Sequence, residues 1–280
     1  MGMTLEIGYR NDYEKRQALN DLMGSAFSFT FEPWYKNFLW DDRYKPYSFF
    51  SDGKVIANIG VYEMTVVVGQ KKYKVIQIGA VTSIPEYRGG HLVTELFDIV
   101  FKAYPDIDFA FLYSETDVQA FYPKFGFSPA KAYFTEKEVR HSLKHSFVKV
   151  DPDLDQELLF DIIKDGKSAS TLSIDNPLSL QLFSLPFYKD DLYIDRSNGI
   201  LVIMKEKDGT LLIKEAIGLT PFKLEEVAGS LFTEPRKTCL FTFPNTLKNG
   251  RLVEDPDHLF IRTEKPFEIE NFLVPQLLRT

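Results

Sequence analysis

The chain has 280 residues, 44% of them hydrophobic, and its 33 Lys and Arg against 40 Asp and Glu leave a formal net charge of −7. That length can bury a sizeable core and implies two domains, while the acidic balance argues against a nucleic-acid partner, whose phosphates call for a basic surface. One cysteine, Cys239, excludes an internal disulfide or a thiol metal cluster, and no apolar run reaches the roughly 18 residues that span a bilayer.

In chain order, the opening MGMTLEIGYRNDYEK lacks a signal peptide's apolar stretch, so a cytoplasmic protein with no membrane partner is expected. Residues 11–25 predict a helix. Phe27 to Phe50 is dense in aromatics, among them Trp34 and Trp40, with Glu32, Asp41 and Asp42 interspersed. Such faces either pack on a sheet or hold a cationic amine, and packing is the first expectation. Asp52-Gly53 signals a turn into the strand KVIANIGVYEM, and Gly69-Gln70 turns the next hairpin.

The strand KYKVIQIGAV is apolar on both alternating faces, as for a strand covered by helices. A helix follows over HLVTELFDIVFKAY, where Leu92, Leu96, Val100 and Tyr104 fall four apart and Thr94, Glu95, Asp98 and Lys102 take the opposite face. Between them stands Pro85-Glu86-Tyr87-Arg88-Gly89-Gly90. Its paired glycines allow backbone angles closed to other residues, and the helix start behind them leaves unpaired N–H groups facing an anion. The strand DFAFLYS comes next, then Phe121-Tyr122-Pro123-Lys124-Phe125-Gly126-Phe127, a short helix stopped by a left-handed glycine.

This order of elements resembles the GNAT superfamily of N-acetyltransferases, whose pyrophosphate loop reads Q/R-x-x-G-x-G/A. Arg88 opens the motif and Gly89 and Gly90 fill its free positions, while His91 and Val93 stand where the family has small residues. FYPKFGF matches the family's Y-x-K/R-x-G-F/Y signature. The resemblance implies acetyl-CoA as co-substrate and no metal, held by Val81, Thr82 and Ser83 at the end of the splayed strand and by Arg88, Gly89, Gly90, His91, Leu92, Val93 and Thr94. Tyr122 then takes the family's place for the general acid that protonates the leaving thiolate. A phenol of reference pKa near ~10 stays protonated at neutral pH and suits that task. Glu115 occupies a position where many members carry Asn and is a candidate base. Trp34 and Trp40 lie where the family walls its acceptor pocket, and the implied acceptor is a small-molecule or peptide amine.

The character changes over residues 139–170, which sets an expected boundary between domains 1–148 and 149–280. Residues 1–148 carry 17 basic and 18 acidic residues and residues 149–280 carry 16 and 22, an excess read first as solubilising charge. His141 and His145 fall four apart on an expected helix facing solvent, and with His91 and His258 they show no zinc-like grouping. Turns at Asn198-Gly199 and Asp208-Gly209 bracket the strands LVIMKE and LLIKEAIG, followed by a helix LEEVAGSLF and a strand CLFTF. This repeats the first half without its glycine cradle. The expected fold class is therefore α/β (α+β), a GNAT-type mixed twisted sheet flanked by helices and followed by a degenerate second copy. Such a tandem is similar to Eis-like acetyltransferases, without the room for their third domain. In that family the chain's terminal carboxylate is the general base, which assigns the role to Thr280, at the end of an apolar tail expected to dock. A non-catalytic acyl-CoA sensor or scaffold is the alternative, and a homo-oligomer stays open.

Overall fold

The computed structural model describes residues 2–279. Two eight-stranded sheets organise it. The first begins with β1 (Thr4–Ile7), helices α1 (Tyr13–Phe27) and α2 (Glu32–Lys36), and strands β2 (Tyr44–Ser51), β3 (Lys54–Val68) and β4 (Lys71–Ser83). Helix α3 (Leu92–Ala103) and strand β5 (Phe109–Ser114) complete its core. Asp52 and Gly53 both take positive φ between β2 and β3, and Gly69 does so between β3 and β4, the backbone these tight hairpins require.

β1 to β4 pair antiparallel in sequence order, whereas β4 and β5 run parallel, with α3 crossing over between them. Leu92, Leu96, Phe97 and Val100 of α3 are buried on one sheet face, against Ile76, Ile78, Ala110 and Leu112. On the other face, α1 buries Leu19, Leu22 and Met23. Asp12 caps α1 by accepting from the Lys15 N–H at 3.1 Å.

The second sheet repeats this plan. Strands Ile200–Lys207 and Thr210–Gly218 form a hairpin, and the latter runs parallel to Arg236–Phe241 after a crossover containing helix Leu224–Gly229. That helix has only six residues, shorter than the sequence suggests, and no glycine precedes it in Thr220-Pro221-Phe222-Lys223. His141 and His145 stand in a connection rather than a helix, because the chain leaves a strand at Arg140. Both are held locally: His141 Nδ1 donates to the Phe232 carbonyl at 2.7 Å and His145 Nδ1 meets Asp195 Oδ2 at 3.1 Å.

Strands are exchanged between the sheets across the division expected at residue 148. Tyr133–Arg140 pairs with Arg236–Phe241 in the second sheet, and His258–Arg262 returns to pair with β5 in the first. Leu172–Ile174 also crosses, to pair with the end of β3. The tail docks as expected. Phe272, Leu273, Val274 and Leu278 are buried in the core beside α1, while Leu277 is buried in the core of the second sheet.

Candidate active site

β4 pairs with β5 only from Val75 to Gln77, after which the two strands diverge. On its other edge the register with β3 passes from Gly60↔Gly79 to Asn58↔Thr82, so β4 carries one extra residue, a bulge at Ala80-Val81. Ala80 adopts φ +48°, a left-handed conformation rare for a residue with a Cβ. A buried relay holds it there. Tyr9 Oη and Ser48 Oγ are 2.6 Å apart, Ser48 Oγ donates to Asn58 Oδ1 at 2.7 Å, and Asn58 Nδ2 donates to the Ala80 carbonyl at 2.9 Å. Ser48 and Asn58 are fully buried.

The divergence opens a cavity of about 790 Å³. Ile78 to Thr82, Arg88, Tyr113, Glu115 and Tyr122 line one part of it. Of the residues expected to hold the co-substrate, Val81, Thr82 and Arg88 reach this cavity, and Ser83, paired across to Ala57, lies just outside it. Gly89 takes φ +71°, and a Cβ on Gly90 would stand 3.1 Å from the Tyr87 carbonyl, so both glycines serve the turn. The first helical hydrogen bond of α3 runs from Glu95 N to the His91 carbonyl at 2.9 Å, leaving the N–H groups of His91, Leu92, Val93 and Thr94 ahead of the ladder. The His91 side chain is exposed and makes no capping bond. These groups fit a diphosphate: backbone donors, the positive end of a helix and a guanidinium.

Tyr122 sits on a 3-10 helix, Thr116–Phe125, that stops at Gly126 with φ +82°. Only 7% of Tyr122 is exposed, its ring packed among Phe97, Phe121, Phe127 and Phe260. Phe260 belongs to the strand returned from the far end of the chain. Burial, and secondarily the charge of Glu115, pushes the Tyr122 phenol above its ordinary value, which keeps its proton in place. Glu115 is exposed at the start of the same helix.

The second part of the cavity is aromatic. Trp34 lines it, with its indole N–H donating to the Ser179 carbonyl at 3.1 Å. Trp40 stacks behind Trp34 at 5.7 Å and donates to the Tyr44 carbonyl at 3.1 Å, a core position outside the lining. The neighbouring carboxylates are engaged elsewhere: Glu32 with Arg16, Asp41 with Arg43 and Asp42 with Arg10. Thr280 lies outside the described residues. Its neighbour Arg279 lines the cavity and is clamped by Asp257 at 2.5 Å and Asp255 at 3.5 Å, with its guanidinium 4.0 Å over the Tyr113 ring. Phe183, Phe187 and Arg279, like the relay from Tyr9 to Asn58, escaped the sequence reading; none stands in a recognisable motif. Among the described residues there is no group of three or more metal-ligating side chains.

Residues 11–130 match the family model described as an acetyltransferase (GNAT) domain. No curated protein sequence matches the chain. Among solved structures, Eis1 from Mycobacterium abscessus is similar over 94% of this chain and 73% of its own, at 14% identity and a TM-score of 0.60. A GCN5-related N-acetyltransferase from Kribbella flavida aligns over 94% of this chain and 72% of its own, at 15% identity and a TM-score of 0.54. A further one from Anabaena variabilis aligns over 93% and 73%, at 15% identity and a TM-score of 0.55. At these identities the likeness is one of fold, and it extends through both sheets.

Proposed function

We propose that the protein, whose residues 11–130 match the acetyltransferase (GNAT) domain model, moves an acetyl group from acetyl-CoA to a primary amine by direct attack. One observation carries this reading: Arg88, the bulged strand end and the buried Tyr122 line a single cavity opened by the divergence of β4 and β5. Bound there, the co-substrate supplies an activated thioester. Arg88 and the N–H groups at the start of α3 hold its diphosphate, and the unpaired edge of β4 beyond Gln77 positions the acyl group. Glu115 takes the proton that the attacking amine loses, directly or through water. Tyr122 donates its proton to the departing sulfur. Positioning and the desolvated surroundings of Tyr122 do most of the work.

Thiol release from acetyl-CoA over a panel of primary amines tests the proposal, with Tyr122→Phe as the diagnostic variant. Turnover should fall about 10²-fold or more while the affinity for acetyl-CoA holds. Unchanged turnover would remove Tyr122 from the acid role. Binding of acetyl-CoA with no transfer to any amine would mark an acyl-CoA-binding sensor or scaffold instead.

A further inference from the structure

The acceptor part of the cavity has a definite chemical character. Phe29, from the α1–α2 connection, meets Phe183 at 6.2 Å and 74° and Phe187 at 6.4 Å and 89°, and Phe183 meets Phe187 at 5.7 Å and 72°. These edge-to-face contacts build a wall from two segments that lie more than 150 positions apart in the chain. Much of the wall is open to solvent: Phe187 is 61% and Phe27 44% exposed.

Among the described residues, the charged side chains on the lining are Arg88, Glu115, Asp117 and Arg279. Arg88 stands by the diphosphate loop, and Arg279 is neutralised by Asp255 and Asp257. The two carboxylates stand at the start of the short helix that carries Tyr122 and line the same cavity, so they are available to one nitrogen at the reacting end. Among the described residues the wall itself offers no carboxylate: Glu32, Asp41 and Asp42 lie outside the lining and are paired with arginines. On the wall, the further ammonium groups of a polyamine or aminoglycoside would meet phenyl faces and solvent but no lining carboxylate, so they would gain at most a weak cation–π contact. An apolar body gains from the same surface.

Resting on the acetyltransferase reading above, we infer that the acceptor is a monoamine with an aromatic or similarly bulky apolar body, which lies on the Phe29–Phe183–Phe187 wall with its nitrogen toward Glu115. The test compares 2-phenylethylamine and tryptamine with spermidine and kanamycin in the thiol-release assay. The aromatic monoamines should show kcat/KM at least about 10-fold higher, the discrimination expected from an apolar pocket of this kind. Phe187→Ser, at an exposed position, should raise their KM about 10-fold while the KM for acetyl-CoA stays put. Preference for spermidine or kanamycin, transfer to none of the four, or an unmoved KM in Phe187→Ser overturns the inference. Failure of acetyl-CoA itself to bind, seen as no thermal protection of the wild type, instead sinks the parent reading. Calorimetry of 2-phenylethylamine with wild type and Phe187→Ser then still decides whether the wall binds such amines, loss of the heat in the variant supporting it and equal heats refuting it.

Discussion

Asn58→Ala isolates the contribution of the bulge. Asn58 is fully buried, and its truncation removes the donor 2.9 Å from the Ala80 carbonyl together with the acceptor of the Ser48 hydroxyl. Ser48 keeps Tyr9 at 2.6 Å, so the Ala80 carbonyl is the group left without its side-chain partner. An orphaned acceptor costs about 1–3 kcal/mol when buried, and the half-buried Ala80 on the cavity lining puts this one toward the lower end. Ala80 also holds φ +48°, a conformation that costs a non-glycine residue roughly 1–2 kcal/mol. The strain and the hydrogen bond are thus of similar size, and removing the bond lets the bulge relax toward regular pairing with β3. Relief of the strain offsets part of that loss, so stability should drop by about 1 kcal/mol, a lowering of roughly 2 °C in Tm for a chain of this size. Displacing the acyl-positioning strand by about 1 Å should lower kcat about 10²-fold. The KM for acetyl-CoA should stay within about threefold, since the diphosphate loop is untouched. Thiol release at saturating amine and a melting curve measure both effects. Ser48→Ala, which spares the Asn58–Ala80 bond, should keep kcat within about threefold. If Asn58→Ala melts lower yet turns over at the wild-type rate, the relay supports only the fold.

Other outcomes follow from particular contacts. In Tyr122→Phe, the pH profile of kcat should lose its dependence on a group titrating above neutrality, with isothermal calorimetry showing acetyl-CoA affinity unchanged. Glu215 is buried without a cation, accepting from Ser168 Oγ at 2.7 Å and from the Ala216 N–H at 2.9 Å. Burial pushes its carboxyl up to about 7 from 4.5, so the folded chain holds that proton more tightly than the unfolded one. Its support is full below about 4.5 and is lost as pH rises through about 7. Glu215→Gln, which mimics the protonated form, should therefore match the wild type in Tm at pH 5 and exceed it by several degrees at pH 8; a constant difference across that range refutes the assignment. Deleting residues 272–279 removes the buried side chains Phe272, Leu273, Val274, Leu277 and Leu278. At about 1.5–3 kcal/mol each, their loss rivals the stability of a whole domain, and circular dichroism should show an unfolded or aggregated chain. A fragment ending at residue 148 lacks the His258–Arg262 strand, so it bares an edge of β5 and should precipitate on expression, whereas co-expression with residues 149–280 should restore solubility.

Legibility followed the range of the interaction. Helix α3 could be read because Leu92, Leu96 and Val100 recur at the helical period, and the stops at Gly69 and Gly126 because a left-handed turn favours glycine. The loop at Arg88 and the Tyr122 signature are short segments whose geometry is set by near neighbours, and the cavity brings Arg88 and Tyr122 together as their order in the chain suggests. The left-handed Ala80 carries no such mark. Its conformation depends on Asn58, which lies 22 residues away and is oriented by Ser48 and Tyr9.

The sequence by itself determined the order of strands and helices from β2 to β5, the parallel crossover with its glycine-rich turn, and the phenol on the short helix that follows. Tertiary structure alone decided which strand lies beside β5, where the tail packs, and that Phe183 and Phe187 complete an aromatic wall of the cavity while Trp40 retreats into the core. Local hydrogen bonding and periodicity are written into a few adjacent residues. Strand partners and pocket walls are chosen by the fit of side chains from distant segments, and no short stretch of sequence holds that information.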